Sequence, residues 1–371
     1  MKLLTKTILI AALLVASDPL VRAEDWSLFR GDPQLHGRAG ALPEKLDPLW
    51  LFEVEEGIES GAVIVGGVVY VGALDGKLYA VSLADGSLVW AYEVTDEIKA
   101  SPSVHNGTVY VGDSAGVFHA VDAATGKARW TFAAEGEIVS SANFHEKRIL
   151  FGSNDQFLYC LKHDGSLAWK LETGGYVYGT PAIVDGIAYS AGCDGFLRAV
   201  DIASGEQKFQ IRIGAYVGAS PTVRDGIAYM GTFENQVVAV DLAAREILWA
   251  YENPERQFPY LSSAALAEDR LIIGGRDKSV HAIKLEDGSA LWSYRTKAKI
   301  DSSPVISGGR VYVGSMTGEL FAFNVKSGEV EWRFDTGSGL MATPAIADGR
   351  LVIGTVDGQL YCFGKAKQEA P

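Results

Sequence analysis

Pro102-Ser103-Val104-His105-Asn106-Gly107-Thr108-Val109-Tyr110-Val111-Gly112-Asp113-Ser114-Ala115-Gly116-Val117-Phe118-His119-Ala120-Val121-Asp122-Ala123-Ala124-Thr125-Gly126-Lys127-Ala128-Arg129-Trp130 is four β-prone runs separated by turn residues. Pro102 to His105 reads as a first strand, A, closed by an Asn106-Gly107 turn. Thr108 to Gly112 reads as B, and the loop Ser114-Ala115-Gly116 leads to C, Val117 to Asp122. The turn Ala124-Thr125-Gly126 then opens D, which carries Trp130. Asn-Gly and Thr-Gly turns between β-branched and aromatic runs are hairpin signals, because the tight turn needs backbone that glycine and asparagine adopt readily.

This unit recurs. Its strand-B terminus appears at Gly72, Gly112, Gly152, Ala191, Gly231, Gly274, Gly314 and Gly354, with spacings of 40, 40, 39, 40, 43, 40 and 40 residues. A large aromatic follows eighteen residues later at Trp90, Trp130, Phe209, Trp249, Trp292 and Trp332, and seventeen later at Trp169. Strand A starts near Ala62, Pro102, Ala142, Pro181, Pro221, Ala264, Pro304 and Pro344. Outside the extreme N-terminus no segment shows a 3.6-residue apolar period. Four-stranded units of about forty residues, eight in one register, predict an all-β, eight-bladed β-propeller of antiparallel blades. Trp50 stands forty residues before Trp90 with no A, B or C strand ahead of it, whereas the C-terminus supplies A, B and C and no tryptophan. The strand around Leu49 to Val54 is therefore expected to complete the last blade, removing an exposed edge. The repeat tryptophans (Trp50, Trp90, Trp130, Trp169, Trp249, Trp292, Trp332) are assigned to packing between blades, where each buried indole N–H needs an acceptor.

The chain divides into a signal peptide over 1–23, a lead-in over 24–46, the propeller over 47–364 and a tail over 365–371. Lys2 and Lys6, the apolar run Ile8 to Ala16 and the small-residue site Val21-Arg22-Ala23 make the signal reading. That run is too short to span a bilayer, and no cysteine near the cleavage site offers a lipid anchor. Export to the periplasm or outside the cell follows, with no membrane insertion after cleavage. Removing Lys2, Lys6, Arg22 and Asp18 from 33 basic and 46 acidic residues leaves 30 and 45, a net charge of −15. Such acidity argues against nucleic acid, whose phosphates call for a basic face. Three cysteines make no even-numbered disulfide framework.

The run Gly112, Gly116, Val117-Phe118, Ala120-Val121-Asp122, Thr125-Gly126, Trp130 resembles the quinoprotein-type repeat of pyrroloquinoline-quinone (PQQ) dehydrogenases. The resemblance covers residues 47 to 364. In size and layout the chain is similar to assembly factor B of the outer-membrane β-barrel insertion machinery and to related secreted propellers. The lead-in Asp25-Trp26-Ser27-Leu28-Phe29-Arg30-Gly31 looks like that of such proteins. What the resemblance implies is either a partner in the outer-membrane assembly machinery or, for a dehydrogenase, PQQ with Ca²⁺. The dehydrogenase pattern has an adjacent cysteine pair over the quinone; here Cys160, Cys193 and Cys362 are isolated. Cys160 and Cys362 fall in a repeat slot otherwise filled by alanine, so they read as small core residues, and only Cys193 falls in a loop.

Chemistry has few places to reside. His119 and His281 share a slot otherwise holding Tyr79, Tyr159, Arg198, Val238, Phe321 and Tyr361, and His36, His105, His145 and His163 lie in the lead-in or beside turns. No spacing suggests a zinc site or a catalytic triad, and Arg30-Gly31-Asp32 reads as a turn. Three residues before each strand-A start come Glu59, Lys99, Val139, Tyr178, Gly218, Leu261, Asp301 and Met341. They are expected to ring the axis on the face of the D–A and B–C loops, and their chemistry changes from blade to blade. Variation on a rigid scaffold is what a binding face shows, although solvated loop residues vary too. The longer loop through Phe258-Pro259-Tyr260 offers an exposed aromatic anchor, and Asp75, Asp155, Asp194, Glu234, Asp277 and Asp357 an acidic rim. The candidate binding face is thus Glu59, Lys99, Tyr178, Asp301, Met341, Phe258 and Tyr260.

The preferred reading is a non-catalytic periplasmic or secreted scaffold that docks another envelope protein, with no catalytic, cofactor or metal residues assigned. The alternative is a PQQ-dependent or other small-ligand enzyme using Glu59, Lys99 and Asp301 at the axis. A third reading, carbohydrate or peptide sensing, needs aromatic platforms around Tyr178 and Tyr260.

Overall fold

A computed structural model describes residues 25–366. The signal-peptide reading and all but the first two residues of the tail lie outside the described residues. Eight antiparallel four-strand blades are present, and no helix among the described residues. In the second blade the strands run Ser103–His105, Thr108–Gly112, Val117–Asp122 and Ala128–Ala133. The eighth blade takes Ala345–Ala347, Arg350–Gly354 and Gln359–Gly364 from the C-terminus, and its outer strand is Asp47–Glu53. Trp50 pairs with Cys362 there.

The tryptophans stitch neighbouring blades. Each indole Nε1 donates to a carbonyl of the next blade: Trp50 to Leu83, Trp90 to Ala123, Trp130 to His163, Trp169 to Ile202, Trp249 to Leu285, Trp292 to Val325 and Trp332 to Leu46, at 2.9–3.2 Å. A second stitch runs near the axis, where a backbone N–H of one blade donates to a Ser or Thr hydroxyl of the next. Ser141 N meets Thr180 Oγ1 at 3.1 Å, Thr180 N meets Ser220 Oγ at 2.8 Å, and Ser220 N meets Ser263 Oγ at 3.0 Å. The Ser/Thr-Pro starts of strand A are therefore junctions between blades.

The lead-in crosses the inner strands in order. Trp26 bridges Ile64, Ser27 O accepts from Val104 N, Pro33 O from Ile183 N, Gln34 O from Val223 N and His36 O from Leu266 N. Arg38–Ala39 then adds a parallel fifth strand to the seventh blade. These contacts cover the axial end of the A–B turns, opposite the D–A loops. Arg30 is fully buried there; its Nη2 donates to Ala264 O at 2.9 Å, and burial lowers its pKa to about 9 against the opposing pull of Asp32. The Arg30-Gly31-Asp32 tripeptide is a turn with no exposed arginine.

Candidate functional site at the D–A loop face

Each D–A loop is fixed by the same two backbone devices. One residue of the loop gives its carbonyl to a B–C loop N–H, as Gly57 to Leu74, Glu97 to Ser114, Glu137 to Asn154, Tyr176 to Cys193, Tyr216 to Phe233, Pro259 to Arg276, Lys299 to Met316 and Gly339 to Val356, at 2.9–3.2 Å. The next residue is buried: Ile58, Ile98, Ile138, Val177, Val217, Tyr260, Ile300 or Leu340. It packs on the strand-B terminus of its blade, and at Gly72, Gly112, Gly274 and Gly354 a Cβ would collide with the isoleucine. These four glycines are required by space, since none has a positive φ. The ring residue comes next, and all eight of its occupants are half-buried.

The ring's charges are not pooled. Lys99 Nζ lies 2.9 Å from Glu97 Oε2 and 3.1 Å from Glu137 Oε1, and the bond to Glu97 first, then Glu137, raises the ammonium's pKa. Glu137 also accepts from Ser114 Oγ at 2.9 Å and Asn154 Nδ2 at 3.0 Å. Asp301 accepts from Arg276 Nε at 2.8 Å and Nη2 at 3.2 Å, and pairs with Lys299 Nζ at 2.7 Å. Lys99 and Asp301 therefore belong to separate local networks. Glu59 has no ion pair among the described residues. Met341, Val139, Leu261 and Gly218 are apolar positions of the same ring.

Aromatic residues gather on the other side of the face. Tyr178 meets Tyr176 edge-on at 5.8 Å, and burial, then Cys193 and Tyr176, raises its phenol's pKa. Tyr176, Tyr216 and Phe258 are 47, 58 and 44 % exposed and occupy three successive D–A loops. Phe258 stands exposed, with Arg256 over its ring at 5.5 Å. Tyr260 does not: it is fully buried, edge-on to His281 at 5.6 Å. The three-residue insertion leaves Tyr260 at the register of Ile98 and Ile300, so it fills the core. Tyr176 and Tyr216 are exposed aromatics that the sequence reading does not single out. Their signal was available: both sit one position before a core residue, where no turn or packing demand calls for an aromatic.

The acidic rim is largely committed within the blades. Asp75 Oδ2 accepts from Tyr79 OH and Asp155 Oδ2 from Tyr159 OH, each at 2.6 Å; Asp194 pairs with Arg198, and Asp277 Oδ2 lies 2.8 Å from His281 Nε2. In the second blade Asp113 takes this role with His119 at 3.1 Å. Tip acids thus partner the large side chain four or six residues onward. A cleft of about 440 Å³ opens beside Tyr216, between Asp194, Phe196, Arg212 and Glu234.

Cys160 and Cys362 are buried and their thiols are pushed up to about 12 by burial, which suits core packing. The half-buried Cys193 thiol is also raised, by burial first and then by Asp194. Among the described residues no three His, Cys, Asp or Glu side chains are placed to hold a metal ion. No helix among them is long and apolar enough to cross a membrane.

Comparison with known proteins gives this face its context. The family described as outer membrane protein assembly factor BamB matches residues 38–158, 134–213 and 154–369. Among solved structures, BamB from Moraxella catarrhalis superposes with a TM-score of 0.75 at 20 % identity, covering 88 % of this chain and 100 % of that one. A europium-containing methanol dehydrogenase gives 0.80 at 13 % identity, covering 93 % and 98 %. The quinohemoprotein alcohol dehydrogenase of Comamonas testosteroni gives 0.79 at 13 %, covering 94 % and 82 %. At these identities the likeness is one of fold. A curated relative, the mouse β-alanine-activating enzyme, is 39 % identical over 67 residues; the match spans 16 % of this chain and 6 % of that protein's length.

Proposed function

The chain belongs to the outer membrane protein assembly factor BamB family, and from that premise we propose that it is a non-catalytic scaffold of the cell envelope, periplasmic or secreted, that docks another protein on its D–A loop face. The observation that carries this reading is the combination of an invariant backbone clamp with changing side chains. Eight D–A loops repeat one hydrogen bond and one buried residue, yet three neighbouring loops project exposed aromatics from that frame. Aromatic side chains held on fixed backbone lose little freedom on binding, and such anchors dominate protein interfaces. The opposite axial end is covered by the lead-in, which leaves this face as the accessible mouth. Glu55, Glu56 and Glu59 lie in one D–A loop and Asp96 and Glu97 in the next, which also carries Lys99, so the partner surface is apolar at one edge and basic at the other. A component of the outer-membrane β-barrel assembly machinery is the partner the family suggests.

Crosslinking in the native envelope tests this, with wild type compared against Tyr216→Ala/Phe258→Ala. One dominant envelope protein recovered by wild type and lost by the variant supports the reading; equal recovery by both sinks it.

A quinone-dependent dehydrogenase is the second reading, favoured by the two dehydrogenase superpositions. The residues present do not fit that group. The three cysteines are separate, Asp301 is already matched by Arg276 and Lys299, and Lys99 by two glutamates. Added PQQ with Ca²⁺ leaves the melting temperature unchanged on the scaffold reading and raises it on the alternative.

A further inference from the structure

At seven of the eight junctions between blades a D-strand indole fills the space beside the next blade and donates to its carbonyl. The junction of the fourth and fifth blades differs at four linked points. The aromatic is Phe209, which has no donor. The residue facing it, a glycine packed under the indole at Gly86, Gly126, Gly165, Gly205, Gly288 and Gly328, is Arg245, held at φ 62° with its guanidinium carbon 4.6 Å from the Phe209 centroid. Leu242 O, the counterpart of Ala123 O and Ile202 O, accepts no hydrogen bond among the described residues. Finally, Tyr189 is half-buried, whereas its counterparts Tyr70, Tyr110, Tyr229 and Tyr312 are at most 4 % exposed.

A cleft of about 580 Å³ lies at this junction, at the end of the molecule away from the D–A loops, lined by Val184, Tyr189, Phe209, Val223 and Leu242, with His36 of the lead-in at its wall. Clefts also lie at the third–fourth and sixth–seventh junctions, but there the indole does not line them, whereas here Phe209 and Tyr189 do. Its charged neighbours are already matched. His36 faces Asp32 Oδ2 at 3.1 Å and Val223 O at 2.9 Å, and Arg224 donates to Ala267 O and Glu268 O. Asp225 stands exposed at the rim, 3.8 Å from Arg224 Nε, and Gln34 lines the lead-in side. The rest is apolar surface, two ring faces and the Leu242 carbonyl.

We propose that this cleft binds a small, neutral, planar aromatic molecule of the indole or phenol class, whose ring N–H or O–H donates to the Leu242 carbonyl. The other seven junctions are the template: each shows an aromatic ring with one donor in this setting, and its carbonyl is matched. The volume is that of an ordinary small-ligand site, and an apolar pocket with one placed polar group selects for both shape and donor. The ligand packs against Tyr189 and Phe209 while Arg245 holds the outer face of Phe209. This site is independent of the docking face, so each stands or falls alone.

The test is calorimetric titration of the purified protein with indole, and with benzofuran, which has the same shape without the N–H. Indole is expected to bind saturably at one site, and benzofuran about tenfold more weakly for want of the hydrogen bond. Phe209→Trp/Arg245→Gly, which rebuilds the junction found elsewhere, is expected to abolish binding, and Tyr189→Leu to weaken it. Crystals soaked in 5-bromoindole are expected to show bromine anomalous signal in this cleft. Equal affinity for indole and benzofuran, unchanged binding by the rebuilt variant, signal only at other sites or no saturation each overturns the proposal.

Discussion

His281 Nε2 and Asp277 Oδ2 lie 2.8 Å apart where no solvent reaches, and Tyr251 of the preceding blade meets the other ring nitrogen at 3.1 Å. An ionised Asp277 places the imidazole proton on Nε2, leaving Nδ1 to accept from the Tyr251 hydroxyl. Asn253 of the long loop donates to the same carboxylate. One histidine thus ties two blades and the loop bearing Phe258 together, and Tyr92, His119 and Asp113 repeat the tie between the first two blades. Asp277→Ala strands a buried imidazole and an amide. It is expected to destabilise the fold by about 3 kcal/mol, read as a lower urea midpoint at neutral pH. Loss below about 0.5 kcal/mol, as for a surface change, contradicts the latch.

The same latch sets an acid limit on stability. Burial opposes ionisation of Asp277 and Asp113, but the bonds from His281 and His119, with their backbone and amide donors, outweigh it and hold both carboxyls below the usual value. A carboxyl with a depressed folded pKa contributes stability that is fully present above its unfolded pKa of about 3.9 and is lost as pH falls through the folded value. Urea midpoints measured from about pH 5 downward should therefore fall steeply for wild type and less steeply for Asp113→Asn/Asp277→Asn. Parallel slopes for the two proteins contradict the assignment.

Gly72 and Ile98 illustrate a constraint that acts through space. A Cβ on Gly72 would enter the Ile98 side chain, and Ile98 cannot retreat because Ile98 N donates to Ala73 O at 3.0 Å. Gly72→Ala is expected to cost about 1–3 kcal/mol by overpacking. Adding Ile98→Ala should recover part of that loss, so that the double variant is less destabilised than the sum of the two singles. Strict additivity in chemical denaturation would show that the two residues do not share this contact.

What could be read from the residues alone was whatever the repeat multiplied. Trp50 announced ring closure because it lay one period before Trp90, and the eight ring positions emerged in one register because the strand-A starts are regularly spaced. The lead-in has no internal copy, so nothing in its sequence told that Trp26, Leu28, Arg30 and Leu35 are buried against the inner strands. Tyr260 was misread for a related reason: in a loop with three extra residues, aromatic composition outweighed its position beside the Leu261 ring site. The pairing of Asp75 with Tyr79, Asp155 with Tyr159 and Asp277 with His281 was visible as a coincidence of acceptor and donor four residues apart. Taken one blade at a time, tip acids resemble solvated charges, so the pairing shows only when the blades are aligned.

Phe258 and Tyr260 separate docking from folding within one loop. Phe258 is 44 % exposed, so Phe258→Ala is expected to change stability by less than about 0.5 kcal/mol while reducing partner capture. Tyr260 is fully enclosed over Gly231 and against His281, so Tyr260→Ala is expected to cost about 3–5 kcal/mol through the cavity it leaves. Thermal unfolding and envelope crosslinking of both variants check the pair. If Tyr260→Ala melts like wild type, the enclosed placement of this side chain is wrong; if Phe258→Ala captures the partner undiminished, the anchor lies elsewhere on the face. Raising the salt concentration adds a third arm, because the acidic sector around Glu59 and Glu97 steers a basic partner. Its attraction is screened as the Debye length falls from about 10 Å at 0.1 M salt, whereas the aromatic contact is not. Capture that weakens with salt in wild type, and further on removing Phe258, assigns the two sectors their separate parts in one interface.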